Sequence, residues 1–73
     1  GFFNMENSIK FTLIIDKLNR KISELNIKIS KDFNNDELQK KLQSLLEDRD
    51  LLYKGNVDDV KKIIEKYGDT FNE

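Results

Sequence analysis

Apolar residues in the first half of the chain recur at alternating steps of four and three. A strip that repeats every 3.5 residues is one face of an α-helix, and other helices must cover it. Ile at its a positions with Leu at d positions also favours parallel two-stranded coiled coils. The pattern therefore predicts an all-α fold, and its members form the seam: Phe11, Ile15, Leu18, Ile22, Leu25 and Ile29.

Capping signals mark where further helices begin and end. Residues 34–37 read N-x-x-E, which fits a capping box, and Phe33 with Leu38 fits a hydrophobic staple around the same start. Gly55 suits the left-handed residue that ends a helix. Asn56 can then cap a third helix. The short turn before residue 35 predicts that the first two helices lie antiparallel as a hairpin.

The predicted fold is a single small helical domain that covers residues 1–73. It consists of an antiparallel hairpin (residues about 6–30 and 35–54) and a shorter third helix (about 57–68). The three helices form a small bundle that oligomerisation can complete, because a chain of this length buries a modest fraction of its surface.

The later helices have apolar faces of their own. Gly68 either ends the third helix or is carried through it at a cost of about 1 kcal/mol. The expected face of the second helix consists of Leu38, Leu42, Leu45, Leu46, Leu52 and Tyr53. The expected face of the third helix consists of Val57, Val60, Ile64, Tyr67 and Phe71.

Composition argues against several classes of function. The chain has no cysteine and no histidine, so it lacks the usual metal ligands and the usual neutral-pH base. We therefore expect no enzyme activity, no metal and no cofactor. The net charge of −1 argues against nucleic acid as a partner. No apolar run approaches the roughly 18–20 residues that cross a bilayer, and a signal peptide is not recognisable. We therefore expect a cytoplasmic protein that does not associate with a membrane.

Two acidic segments have ordinary explanations. Residues 32–36 read D-F-N-N-D and match the opening of a calcium-binding EF-hand loop, but Glu37 and Gln43 then stand where that loop needs Gly and Glu. Helix capping accounts for the same residues. An acidic cluster on the second helix is predicted to face solvent, and it consists of Glu47, Asp48 and Asp50.

Arg49 and the lysines of the first helix are the remaining charged candidates. Arg49 falls in the seam of the second helix, where a charge can set the register, with Glu24 as one partner, or can reach past the seam edge to solvent. A nucleic-acid-binding regulator would use the first helix, whose basic residues are spread around it with acids between them. These residues are Lys10, Lys17, Arg20, Lys21, Lys28 and Lys31.

The sharpest clue lies opposite the seam. At 100° per residue, Ile9, Leu13 and Ile27 fall on the other side of the first helix. Either the third helix folds over one end of this side, or a second subunit or another protein covers it. The sequence therefore favours a non-enzymatic helical interaction or oligomerisation module, with a homodimer as the preferred assembly. An accessory helical domain of a larger protein is a further alternative.

Overall fold

Three helices account for the architecture of residues 1–68, the part of the chain that the computed structural model describes. They are α1 (Met5–Lys31), α2 (Asp36–Lys54) and α3 (Val57–Tyr67). No strand occurs over this range. The predicted all-α class, the hairpin and the shorter third helix are confirmed. Phe71, which was assigned to the face of α3, lies outside the described residues.

Asparagine caps the start of every helix. Asn4 Oδ1 accepts from the backbone N–H of Asn7 at 2.9 Å, and Asn56 Oδ1 accepts from two N–H groups in the first turn of α3. Such caps satisfy amide donors that have no partner inside the helix. Gly55 ends α2 with φ of 74°, in the left-handed region where glycine has no steric cost. Gly68 keeps a right-handed conformation and follows the last residue of α3.

The predicted capping box at the start of α2 is wrong by one residue. Asn35, and not Asn34, accepts from Leu38 N–H at 3.1 Å. Both positions carry asparagine, but Asn35 also donates its side-chain amide to Asp32, which ends α1. This bond ties the cap to the preceding helix. Phe33 is 73% exposed, so the predicted staple does not form.

The buried face of α1 is rotated from the predicted seam. Leu18, Ile22 and Leu25 are buried as expected, whereas Phe11, Ile15 and Ile29 are half-buried. Ile14, which lies off the seam, is fully buried. The reason is that α3 packs beside α2 and covers the flank of α1 that carries Ile14. The resulting core consists of Ile14, Leu18, Leu52, Val60, Ile63 and Ile64.

Several residues of α2 and α3 differ in burial from what their predicted apolar faces imply. Tyr53 is 60% exposed and Val57 is 45% exposed, although both were assigned to core faces. Ile63, which was not assigned, is buried, and Leu51 packs against the core. With 11 residues, α3 is about 16 Å long and cannot reach the far half of the hairpin. Leu38 and Leu42 of α2, which lie in that half, are half-buried. Leu45 and Leu46 are also half-buried, and Leu45 packs against the core.

Candidate functional site

The side of α1 opposite the core carries the three predicted interaction residues. Ile9 is 54% exposed, Leu13 46% and Ile27 58%. Because buried Leu18 and Ile22 point toward α2 and α3, a helix turn of 100° per residue directs these three side chains to solvent. We call this surface, from Met5 to Ile27, the outer face.

The third helix does not cover the outer face. Within the described residues, α3 packs on Ile14 and Leu18 and leaves Ile9 and Leu13 exposed, so the alternative in which α3 folds over this end is not the arrangement observed. The stripe of Val60, Ile63 and Ile64 is buried against the flank of α1 beside α2. Cover by a second subunit or by another protein stays a prediction.

The N-terminal part of the outer face is apolar and slightly concave. Met5 is 81% exposed and lies four residues before Ile9, so both occupy the same side. The spacing Met5–Ile9–Leu13 could have revealed it from the sequence. A shallow depression of about 310 Å³ is lined by Met5, Ser8, Ile9, Thr12 and Leu13.

The middle of the outer face is charged. Arg20 Nη2 lies 3.0 Å from Asp16 Oδ2, and both side chains are mostly exposed. This ion pair separates Leu13 from Ile27, so the three predicted residues share a side of the helix without forming one patch. Ile9 and Ile27 stand 18 residues apart, which is about 27 Å along a helix.

Arg49 binds across the hairpin. Its Nη1 donates to Asn19 Oδ1 at 2.9 Å, and its guanidinium lies 5.9 Å from the ring centroid of Tyr53. The polar partner of Arg49 is therefore Asn19 of α1, and Arg49 forms no ion pair with Glu24. A role for Arg49 in setting the register of α1 against α2 stays a prediction.

Asp48 was expected to face solvent, and that prediction is wrong. It is buried with 8% exposure, and its carboxylate accepts from Lys66 Nζ at 2.9 Å and from the hydroxyl of Tyr67. Burial, the hydrogen bond to Asp48 and the negative charge of Asp48 raise the pKa of Tyr67. Burial of Asp48 requires α3 against α2, a contact that the local sequence around residue 48 does not reveal.

Lysines from all three helices border a groove between them. Lys66 is held by Asp48, and Lys41 lies 3.8 Å from Glu37. Lys21 and Lys28 extend from α1 on the opposite wall. The groove has a volume of about 450 Å³, and its apolar lining comes from Leu25, Leu45 and Tyr67.

The possible metal and membrane features carry no site in residues 1–68. Asp32 and Asn35 of the EF-hand-like segment serve as helix caps. No group of three or more acidic side chains in this range could hold a metal ion. None of the helices described combines the length and apolar character needed to cross a bilayer.

Comparison with protein-family models, curated proteins and solved structures finds no match to this chain. The candidate site therefore depends on the geometry of the chain itself.

Proposed function

We propose that this protein is a non-enzymatic helical interaction module that self-associates through the outer face of α1. The observation that supports the proposal is the exposure of Met5, Ile9, Leu13 and Ile27 on the side of α1 that faces away from the core. Single exposed apolar residues are ordinary on protein surfaces. Several on one side of one helix are typical of a surface that another helix covers.

The energetic gain from covering the outer face is moderate. Full burial of a Leu or Ile side chain contributes about 1.5–3 kcal/mol. Ile9, Leu13 and Ile27 are already about half-covered by their own helix, so each can contribute about half of that amount. Association also costs translational and rotational freedom. The balance favours a reversible complex that forms at high protein concentration.

Sedimentation equilibrium over about 10 µM to about 1 mM tests the proposal. We expect the average mass to rise toward that of a dimer as the concentration increases. The variant Ile9→Lys should remain monomeric over the same range, because it places a charge in the apolar part of the outer face. Circular dichroism should show that its helix content is unchanged.

Phe33→Lys is the matched control, since Phe33 is more exposed than Ile9 and lies in the turn between α1 and α2. It removes an exposed apolar side chain elsewhere and should leave self-association unchanged. A wild-type chain that stays monomeric at the highest concentration would overturn the proposal. Equal loss in both variants would instead indicate non-specific association.

The lysine-bordered groove supports a second candidate, weak binding of a polyanion such as nucleic acid. Lys21, Lys28, Lys41 and Lys66 surround it with Glu24 as the acidic side chain of its lining. Binding of single-stranded RNA that weakens steeply with added salt, and that Lys28→Glu abolishes, is the expected result for this candidate. Absence of binding at low salt would exclude it.

A further inference from the structure

Two residue pairs on the outer face of α1, Ile9 with Ile27 and Asp16 with Arg20, are symmetric about residue 18. We infer that two α1 helices pair about a two-fold axis that passes level with residue 18. This inference rests on the proposed self-association and specifies its geometry. In a two-fold interface, each contact between two residues occurs twice with the roles exchanged. Two residues that contact each other across the axis must therefore lie at equal distances before and after it.

Ile9 and Ile27 meet that condition, whereas Leu13 lies opposite the partner's Ser23 and Met5 lies opposite the partner's Lys31. Ile9 lies nine positions before residue 18 and Ile27 lies nine positions after it. In the antiparallel pair, Ile9 therefore faces the partner's Ile27 at both ends of the interface. The two residues also have the same angular position around the helix, because 18 residues complete five turns. Their side chains are thus directed to the same side.

The charged residues meet the same condition. Asp16 lies two positions before residue 18 and Arg20 lies two positions after it. Each Asp16 therefore faces the partner's Arg20, and the two internal ion pairs join into a ring of four alternating charges. Both side chains are exposed and point to the outer face, with 58% and 76% of their surface accessible.

Charge disfavours three competing arrangements, and a register about residue 9, which pairs Met5 with Leu13, gives Asp16 and Arg20 no opposite charge on the second copy. A parallel pair in register would place Asp16 against the partner's Asp16 and Arg20 against the partner's Arg20. An antiparallel axis at residue 16 or at residue 20 would bring two like charges together at the axis. Like charges that face each other disfavour an interface and select against the wrong geometry. The axis at residue 18 avoids these clashes and pairs Ile with Ile.

The predicted interface is small. Two helix faces about 27 Å long and about 10 Å wide bury less surface than the roughly 1,200–2,000 Å² of a stable complex. The dimer should therefore be weak, and its subunits should exchange rapidly. Covalent crosslinking is a suitable way to detect such a dimer.

Disulfide trapping distinguishes the geometries, because the chain has no cysteine of its own. The variants Ile9→Cys and Ile27→Cys are oxidised separately and as an equimolar mixture, and the products are identified by mass spectrometry. We expect the mixture to form mainly the crosslink between position 9 and position 27. Crosslinking of Ile9→Cys with itself as efficiently as in the mixture would overturn the antiparallel register.

Charge reversal gives an independent test by sedimentation equilibrium. Asp16→Arg or Arg20→Asp alone should weaken self-association by about tenfold, because each places like charges across the axis. The double variant D16R/R20D should restore it, as should mixing the two single variants. A double variant no tighter than the single ones overturns the register. Circular dichroism at low concentration checks that α1 remains folded.

The two proposals fail in different ways. A wild-type chain that never dimerises contradicts self-association itself. A chain that dimerises and loses dimers in Ile9→Lys, but forms other crosslinks, contradicts the register alone.

Discussion

The hydroxyl of Tyr67 donates a hydrogen bond to the buried carboxylate of Asp48, 19 positions earlier in the chain. Lys66 donates to the same carboxylate oxygen, so two neighbouring residues at the end of α3 converge on one residue of α2. A buried carboxylate requires such partners, because leaving water without them is costly. These bonds fasten the end of α3 to the hairpin.

Loss of this carboxylate should destabilise the domain. We expect Asp48→Ala to lower the free energy of unfolding by about 1–3 kcal/mol, because Tyr67 and Lys66 lose their shared acceptor. Urea denaturation followed by circular dichroism measures the change. The control is Asp50→Ala, which breaks an exposed pair with Lys54 and should cost less than about 1 kcal/mol. Similar losses in the two variants would contradict a structural role for Asp48.

Stability should fall at alkaline pH through Tyr67. Its folded-state pKa lies above the usual value of about 10. Below about pH 10 the Tyr67 hydroxyl is protonated in both the folded and the unfolded chain, and its contribution to stability is complete. Above it the unfolded chain releases a proton that the folded chain retains, so the free energy of unfolding decreases as pH rises.

Urea denaturation of the wild type and of Tyr67→Phe between about pH 8 and about pH 11 measures this dependence. The wild type should lose more stability than the variant, since lysine titration is common to both. In the Tyr53→Phe chain, Tyr67 is the remaining tyrosine. Its phenolate absorbance should appear at a higher pH in the folded chain than in the denatured chain. Coincident titration curves would contradict a raised pKa.

Ile14 should matter more to stability than its place outside the seam suggests. Because its side chain is fully buried, we expect Ile14→Val to cost about 0.5–1.5 kcal/mol. The same substitution at Ile27, which is 58% exposed, should cost less than about 0.5 kcal/mol. Thermal or urea unfolding at low protein concentration, with the mass checked by sedimentation, gives both values. A larger loss of stability in Ile27→Val than in Ile14→Val would contradict the packing of α3 against the flank of α1 that carries Ile14.

The cap of α2 offers a comparison between adjacent residues of the same type. Asn35→Ala should lower the free energy of unfolding by about 1 kcal/mol, because Leu38 N–H loses its acceptor. Asn34→Ala should have little effect, since no helix amide depends on that side chain in the structure. Denaturant midpoints of the two variants provide the measurement, and a larger loss at Asn34 would restore the capping box at residues 34–37.

Local signals in the sequence were enough to predict the three helices and their approximate boundaries. The seam predicted α1, and Gly55 with Asn56 marked the boundary between α2 and α3. These features act within a few residues of one another, through hydrogen bonds to nearby amides and through the period of the helix. They also placed Ile9, Leu13 and Ile27 opposite the seam, where their exposure agrees with that placement.

The tertiary structure alone decided which flank of α1 receives α3. Asp48 is buried instead of solvated, and Ile14 is buried instead of peripheral, for one physical reason: Val60, Ile63 and Ile64 pack against the hairpin beside α2. Periodicity gives the direction of each side chain around its own helix, but burial depends on which other helix lies there. That choice depends on contacts between residues far apart in sequence, and it leaves the outer face of α1 uncovered by residues 1–68.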